Sequence, residues 1–209
     1  MPKKATLFSL AALIPSLAIA PFAYAATPTI GPSDAVQVGY AANLNFGESY
    51  INITNAGTVG GLDPSGNVCV NVYAFDPAEE MISCCSCLTT PDGLYNLGVN
   101  RDITVNTLTG VIPNSVTVKL VASTPSHSGT SCSNSAEMLS TRNLVSGMRA
   151  SGTTLHATPV AGSYATTEIP FYQTTPSASE LSKLTSLCGS IIENGSGFGI
   201  CRTCRTGGE

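Results

Sequence analysis

Val68-Cys69-Val70-Asn71-Val72-Tyr73 is the stretch that decides the fold class. Successive side chains of an extended chain point to opposite faces, so Val68, Val70 and Val72 share one face. Cys69, Asn71 and Tyr73 share the other. The same two-residue period recurs on either side. Val36-Gln37-Val38-Gly39-Tyr40 alternates, and in Tyr50-Ile51-Asn52-Ile53-Thr54 the two isoleucines lie together. Downstream, Leu94-Tyr95-Asn96-Leu97-Gly98-Val99 is apolar but less regular. Ile103 and Val105 follow, then Val116, Val118 and Leu120 with Thr117 and Lys119 opposite. Turn formers punctuate these runs at Asn55-Ala56-Gly57, Asp63-Pro64-Ser65-Gly66 and Pro91-Asp92-Gly93. Six or so strands between residues 35 and 122, joined by short connections, predict an antiparallel β-sandwich.

The second half reads as mixed helix and strand over 135–194. Residues 123–134, with Pro125, His127, Gly129 and Cys132, read as a loop. Ala136 to about Ala150 has a helical tendency from Met138, Leu139, Val145 and Met148. Residues 153–157 and 164–172 have strand character. The strongest helix signal covers 177–194. Ser177 and Glu180 make an S-x-x-E capping box, and Leu181, Leu184, Leu187, Cys188, Ile191 and Ile192 share one side. Gly195 supplies the stop. Such a helix is expected to cover one sheet face or edge, with Cys188 buried in the seam. A Cys-containing tail, 195–209, completes a single secreted β-rich domain, 26–209, whose first residues, 26–34, are a further strand or an arm.

Residues 1–25 have the three-part layout of a signal peptide: basic Lys3 and Lys4, an apolar run, and Ala23-Tyr24-Ala25 at the cleavage position. Pro15 and Pro21 interrupt the run, and its core is shorter than the roughly 20 residues a membrane helix needs. Export to an extracellular or periplasmic space is therefore expected, with no transmembrane anchor after cleavage. Removing both leading lysines leaves seven basic residues against thirteen acidic ones. No basic stripe exists to neutralise phosphates, which excludes nucleic acid as an expected partner. Only 11% of residues are charged, so the surface is wetted by Ser, Thr and Asn rather than by ions.

All eight cysteines follow the leader: Cys69, Cys84, Cys85, Cys87, Cys132, Cys188, Cys201 and Cys204. An even number in an oxidising compartment predicts up to four disulfides, whose pairing spacing alone does not choose. A vicinal Cys84–Cys85 bridge is geometrically awkward, so those two are expected to take different partners. Bridges from the 84–87 turn to the C-terminal tail would join the two local clusters. A second reading takes Cys84, Cys85, Cys87, Cys201 and Cys204 as ligands of zinc or copper, since thiolates select soft ions. Redox catalysis fits less well, because Cys201-x-x-Cys204 follows a Gly-rich stretch near the chain end and opens no helix.

Other chemistry is sparse. His127 and His156 are the only histidines, and no Gly-x-Ser-x-Gly elbow accompanies them. Asp76, Glu79 and Glu80 offer paired carboxylates for glycoside or calcium chemistry. They also fit the start of a short helical turn with acids at its positive end, which is the favoured reading. Gly195-Ser196-Gly197-Phe198-Gly199 follows a helix and so lacks the context of a dinucleotide loop. Asn52-Ile53-Thr54 and Asn194-Gly195-Ser196 fit the glycosylation sequon. The expectation is a non-enzymatic extracellular structural or surface module, possible subunit of a larger assembly, associating with itself or with other extracellular proteins. The alternatives are a secreted metal-binding protein and a secreted hydrolase.

Overall fold

The computed structural model describes residues 32–58, 65–126, 129–133, 136, 139–140, 142–202 and 204. The expected leader, His127, Met138 and residues 205–209 lie outside them. Among the described residues, nine strands form two antiparallel sheets. The strands are β1 Val36–Ala41, β2 Tyr50–Asn55, β3 Val68–Phe75, β4 Met81–Thr89, β5 Leu94–Gly98, β6 Val116–Ser123, β7 Met148–Ala157, β8 Tyr164–Pro170 and β9 Tyr172–Thr174. One sheet has the order β4-β3-β6-β1-β9 and the other β5-β2-β7-β8. Helix α1, Ala178–Glu193, lies over the outer face of the five-stranded sheet.

The period-two reading holds in β2, β3 and β6. Val68, Val70, Val72, Val116, Val118 and Leu120 pack between the sheets with Ile51 and Ile53. Tyr73, Phe75 and Val121 point the other way, onto Leu181, Leu184 and Ile191 of α1. The result is three layers, helix, sheet and sheet, with apolar burial as the main driving force. Ser177 caps α1 by accepting from the Glu180 N–H at 3.1 Å. The Glu180 side chain does not close the capping box; it pairs with Lys119 of β6, fixing the helix to the sheet beneath.

Tyr73 anchors that outer layer. Its hydroxyl donates to the Ala136 carbonyl at 2.7 Å, and the ring is fully buried. Burial pushes the phenol above its ordinary value of 10.0. The folded state therefore holds this proton more tightly than the unfolded chain. Its contribution is complete below about pH 10 and is lost as pH rises beyond. Tyr73→Phe is expected to cost about 1 kcal/mol at neutral pH and to flatten the alkaline decline. Urea midpoints on both sides of pH 10 test this; a variant that declines in parallel with the parent would refute the assignment.

Three expectations are corrected. Cys84 to Cys87 are the middle of β4 rather than a turn. Ile103 ends a single π-helical turn, Val99–Ile103, in place of a strand through Val105. The Glu48 carboxylate holds that turn by accepting from the Asn100 and Arg101 N–H groups at 2.7 and 3.0 Å. The helical tendency at 136–150 is not realised among the described residues: Leu144 bridges to Ser123, and Met148–Ala150 begin β7. Packing decided this, since Met148 is needed fully buried between the sheets.

One strand switches layers. β8 pairs with β7, Phe171 intervenes, and β9 pairs with β1. The Phe171 N–H donates to the Ala150 carbonyl at 2.9 Å. Beside it, the buried Gln37 amide donates to the Met148 carbonyl at 2.6 Å and accepts from the Ala150 N–H at 3.1 Å. Those β7 groups lie just before the first residue that β8 pairs, so Phe171 and Gln37 supply partners there that β8 does not, with Arg149 Nη1 also donating to the Met148 carbonyl at 2.7 Å. The Phe171 ring rests directly on Gly39, where a Cβ would approach it to 2.1 Å.

Candidate functional site: a four-sulfur cluster at the sheet edge

β4 is buried along all nine residues, inward against the core and outward against α1. Alternation along it sorts the clustered cysteines. Cys84 faces the helix and bridges Cys188, both fully buried. Cys85 and Cys87 face the space between the sheets and bridge Cys201 and Cys204. Cys69 of β3 bridges Cys132. Cα separations of 4.6–6.0 Å across the four pairs suit disulfides, and no cysteine is free. Vicinal Cys84 and Cys85 thus take partners on opposite faces of one strand. The bridges to the tail exist as expected.

The tail reaches β4 through a local turn. Gly199, at φ +81°, lies so close to the helix that a Cβ would meet Ile191 Cγ2 at 2.7 Å. The Cys84 N–H donates to the Gly199 carbonyl at 2.8 Å, and the Cys201 N–H donates to the Cys84 carbonyl at 3.4 Å. This short parallel pairing covers part of the β4 edge. It also delivers Cys201 and Cys204 to one spot. Cys204 Sγ lies 3.4 Å from Cys85 Sγ although each is bonded to another sulfur. The Sγ atoms of Cys85, Cys87 and Cys204 lie within 4.8 Å of one another. Ser83 Oγ sits 3.6 Å from Cys201 Sγ. Cys84, the fifth candidate metal ligand, is turned away on the helix side and takes no part.

No family model, no curated protein and no solved structure matches this chain. What it does must be read from its own residues.

The other candidates are scattered. His156 is exposed on β7, with Nε2 2.9 Å from Thr167 Oγ1 and Nδ1 3.5 Å from the Asn43 amide nitrogen. Asp76, Glu79 and Glu80 lie in the exposed β3–β4 hairpin turn and start no helix. There Asp76 Oδ1 accepts from the Ala78 and Glu80 N–H groups at 2.9 and 3.0 Å, and Glu79 takes φ +65°. These acids build a turn. In the first sequon, the Asn52 amide donates to Thr153 Oγ1 and accepts from the Asn96 amide on the outer face of the sheet. Gly195 to Gly199 form the turn that carries the tail to β4.

Two features escaped sequence reading. The first is an apolar groove of about 260 Å³ lined by Tyr40, Thr154, His156, Thr167, Ile169 and Phe171. The second is the edge position of β8, a strand expected at 164–172 but found exposed at all seven positions and last in its sheet. Ile169 is 60% exposed and Tyr172, just beyond, 78%, more than an apolar or aromatic side chain needs in order to close a fold. Alternation alone does not mark which strand stands at an edge. Among the described residues, no helix is long and apolar enough to cross a membrane.

Proposed function

We propose that the protein is a non-enzymatic extracellular structural or surface module that associates with a second copy of itself along β8. The carrying observation is that edge. Among the described residues β8 pairs with β7 on one side only, its seven residues are exposed, and Tyr40, Ile169 and Tyr172 extend its apolar surface. Natural edge strands are commonly blunted by lysine, proline or an inward charge. β8 has no lysine, its one proline, Pro170, stands at its last position, and its single charged residue, Glu168, hydrogen-bonds Ser151 of the adjoining strand. Pairing through such an edge gains main-chain hydrogen bonds and apolar contact together. Four disulfides support the extracellular reading, because bridges persist in oxidising compartments and spare a module from unfolding there.

Sedimentation of the native protein over a concentration series tests this. Reversible growth in mass is expected, and Ile169→Lys should weaken association by roughly tenfold or more, about 1.4 kcal/mol, without altering the thermal transition of the monomer. Monomers at every concentration, or association indifferent to the substitution, would dismiss the edge. Electron microscopy of the same samples distinguishes closed pairs from extended assemblies.

A further inference from the structure

We propose that Cys85, Cys87, Cys201 and Cys204 form a tetrathiolate site for one Zn²⁺ ion once their two bridges are reduced. Three of the four sulfurs already stand close together, and the fourth, on Cys201, is bonded to one of them. Around zinc, with bonds of about 2.3 Å, tetrahedral sulfurs stand roughly 3.8 Å apart. Cys204 and Cys85 are at 3.4 Å, and with Cys87 all lie within 4.8 Å. The sulfurs bonded in pairs need only part by about 1.8 Å to reach the same spacing. Rigid backbone presents two of them: Cys85 and Cys87 project from one face of β4, where both are fully buried. The other two come from a C-x-x-C segment pinned by the Gly199 turn, a ligand spacing usual for zinc. Serine at 83 puts its hydroxyl 3.6 Å from Cys201 Sγ, able to donate to a thiolate there. Cys204 is only half-buried and gives the route in.

The chemistry balances with a dithiol as reductant. Each bridge takes two electrons and two protons from one dithiol, which leaves as its own disulfide. The four thiols then give up four protons as four Zn–S bonds form. The same cluster thus serves as a double staple when oxidised and as a metal clamp when reduced. This inference is independent of association through β8.

The test uses the native protein, reduced with excess dithiothreitol without oxygen and freed of reagent. Titration with Co²⁺ should give the visible absorption of a tetrahedral thiolate complex, saturating at one ion per chain and bleached by one equivalent of Zn²⁺. The Cys87→Ser/Cys204→Ser variant should lose the absorption, and Cys69→Ser/Cys132→Ser should keep it. A folded, fully reduced chain without that absorption overturns the proposal, as does loss of the signal in the second variant or its survival in the first. If reduction unfolds the chain, Zn²⁺ supplied throughout reduction should preserve the tyrosine near-ultraviolet signal; failure to do so overturns the proposal equally.

Discussion

Replacing Cys69 and Cys132 together by alanine is expected to lower the unfolding free energy by about 4 kcal/mol, the largest loss for any single bridge. The reason is the order in which bridges restrict the chain. Cys69–Cys132 closes a loop with a sequence separation of 63, and no other bridge shortens it. Cys87–Cys204 spans 117 residues and by that measure should count for more. Yet Cys85–Cys201 already ties the same two segments together. With it in place, Cys87–Cys204 closes a ring of only about seven residues and contributes roughly 2 kcal/mol. Cys84–Cys188 lies between, since Cys188 is only 13 positions from the tethered Cys201, giving about 3 kcal/mol. Guanidinium unfolding of the three double-alanine variants checks the ranking. Losses that instead follow raw sequence separation would show that the bridges restrict the unfolded chain independently.

Gly39→Val is expected to be comparably damaging, by about 3 kcal/mol or more. The obstacle is not backbone conformation but the Phe171 ring, three of whose carbons would lie 2.1–2.4 Å from a Cβ at position 39. Phe171 has little room to yield. It is 7% exposed, and its backbone N–H is bound to Ala150 at the point where the chain leaves one sheet for the other. Phe171→Leu frees part of that space, so the pair Gly39→Ala/Phe171→Leu should be less destabilised than the two single changes predict. Thermal midpoints through the double-mutant cycle read the coupling. Strict additivity would mean the ring and the glycine do not meet.

Much of the architecture was legible because burial on one face leaves a period of two in the residues. Val68 to Tyr73, Tyr50 to Thr54 and Val116 to Leu120 all reached the structure with their faces as read. The 178–193 helix was equally clear, since its cap, its stripe and its terminal glycine agree. β4 was lost for the opposite reason. Met81-Ile82-Ser83-Cys84-Cys85-Ser86-Cys87-Leu88-Thr89 is buried on both faces, so no polar residue alternates to reveal the strand. The cysteines were seen, but their separation onto two faces was visible only once β4 was known to be extended.

The chain's own residues thus determined a layered antiparallel β-fold with a covering helix, and a demand for sulfur pairing. Those follow from local periodicity, which every segment carries within itself. Tertiary structure alone decided which strand stands at the edge, where Phe171 crosses between sheets, and which sulfur meets which. Each of those depends on segments distant in sequence arriving at one place, 63 to 117 residues apart for the bridged cysteines, and that meeting is set by the packing of the whole core.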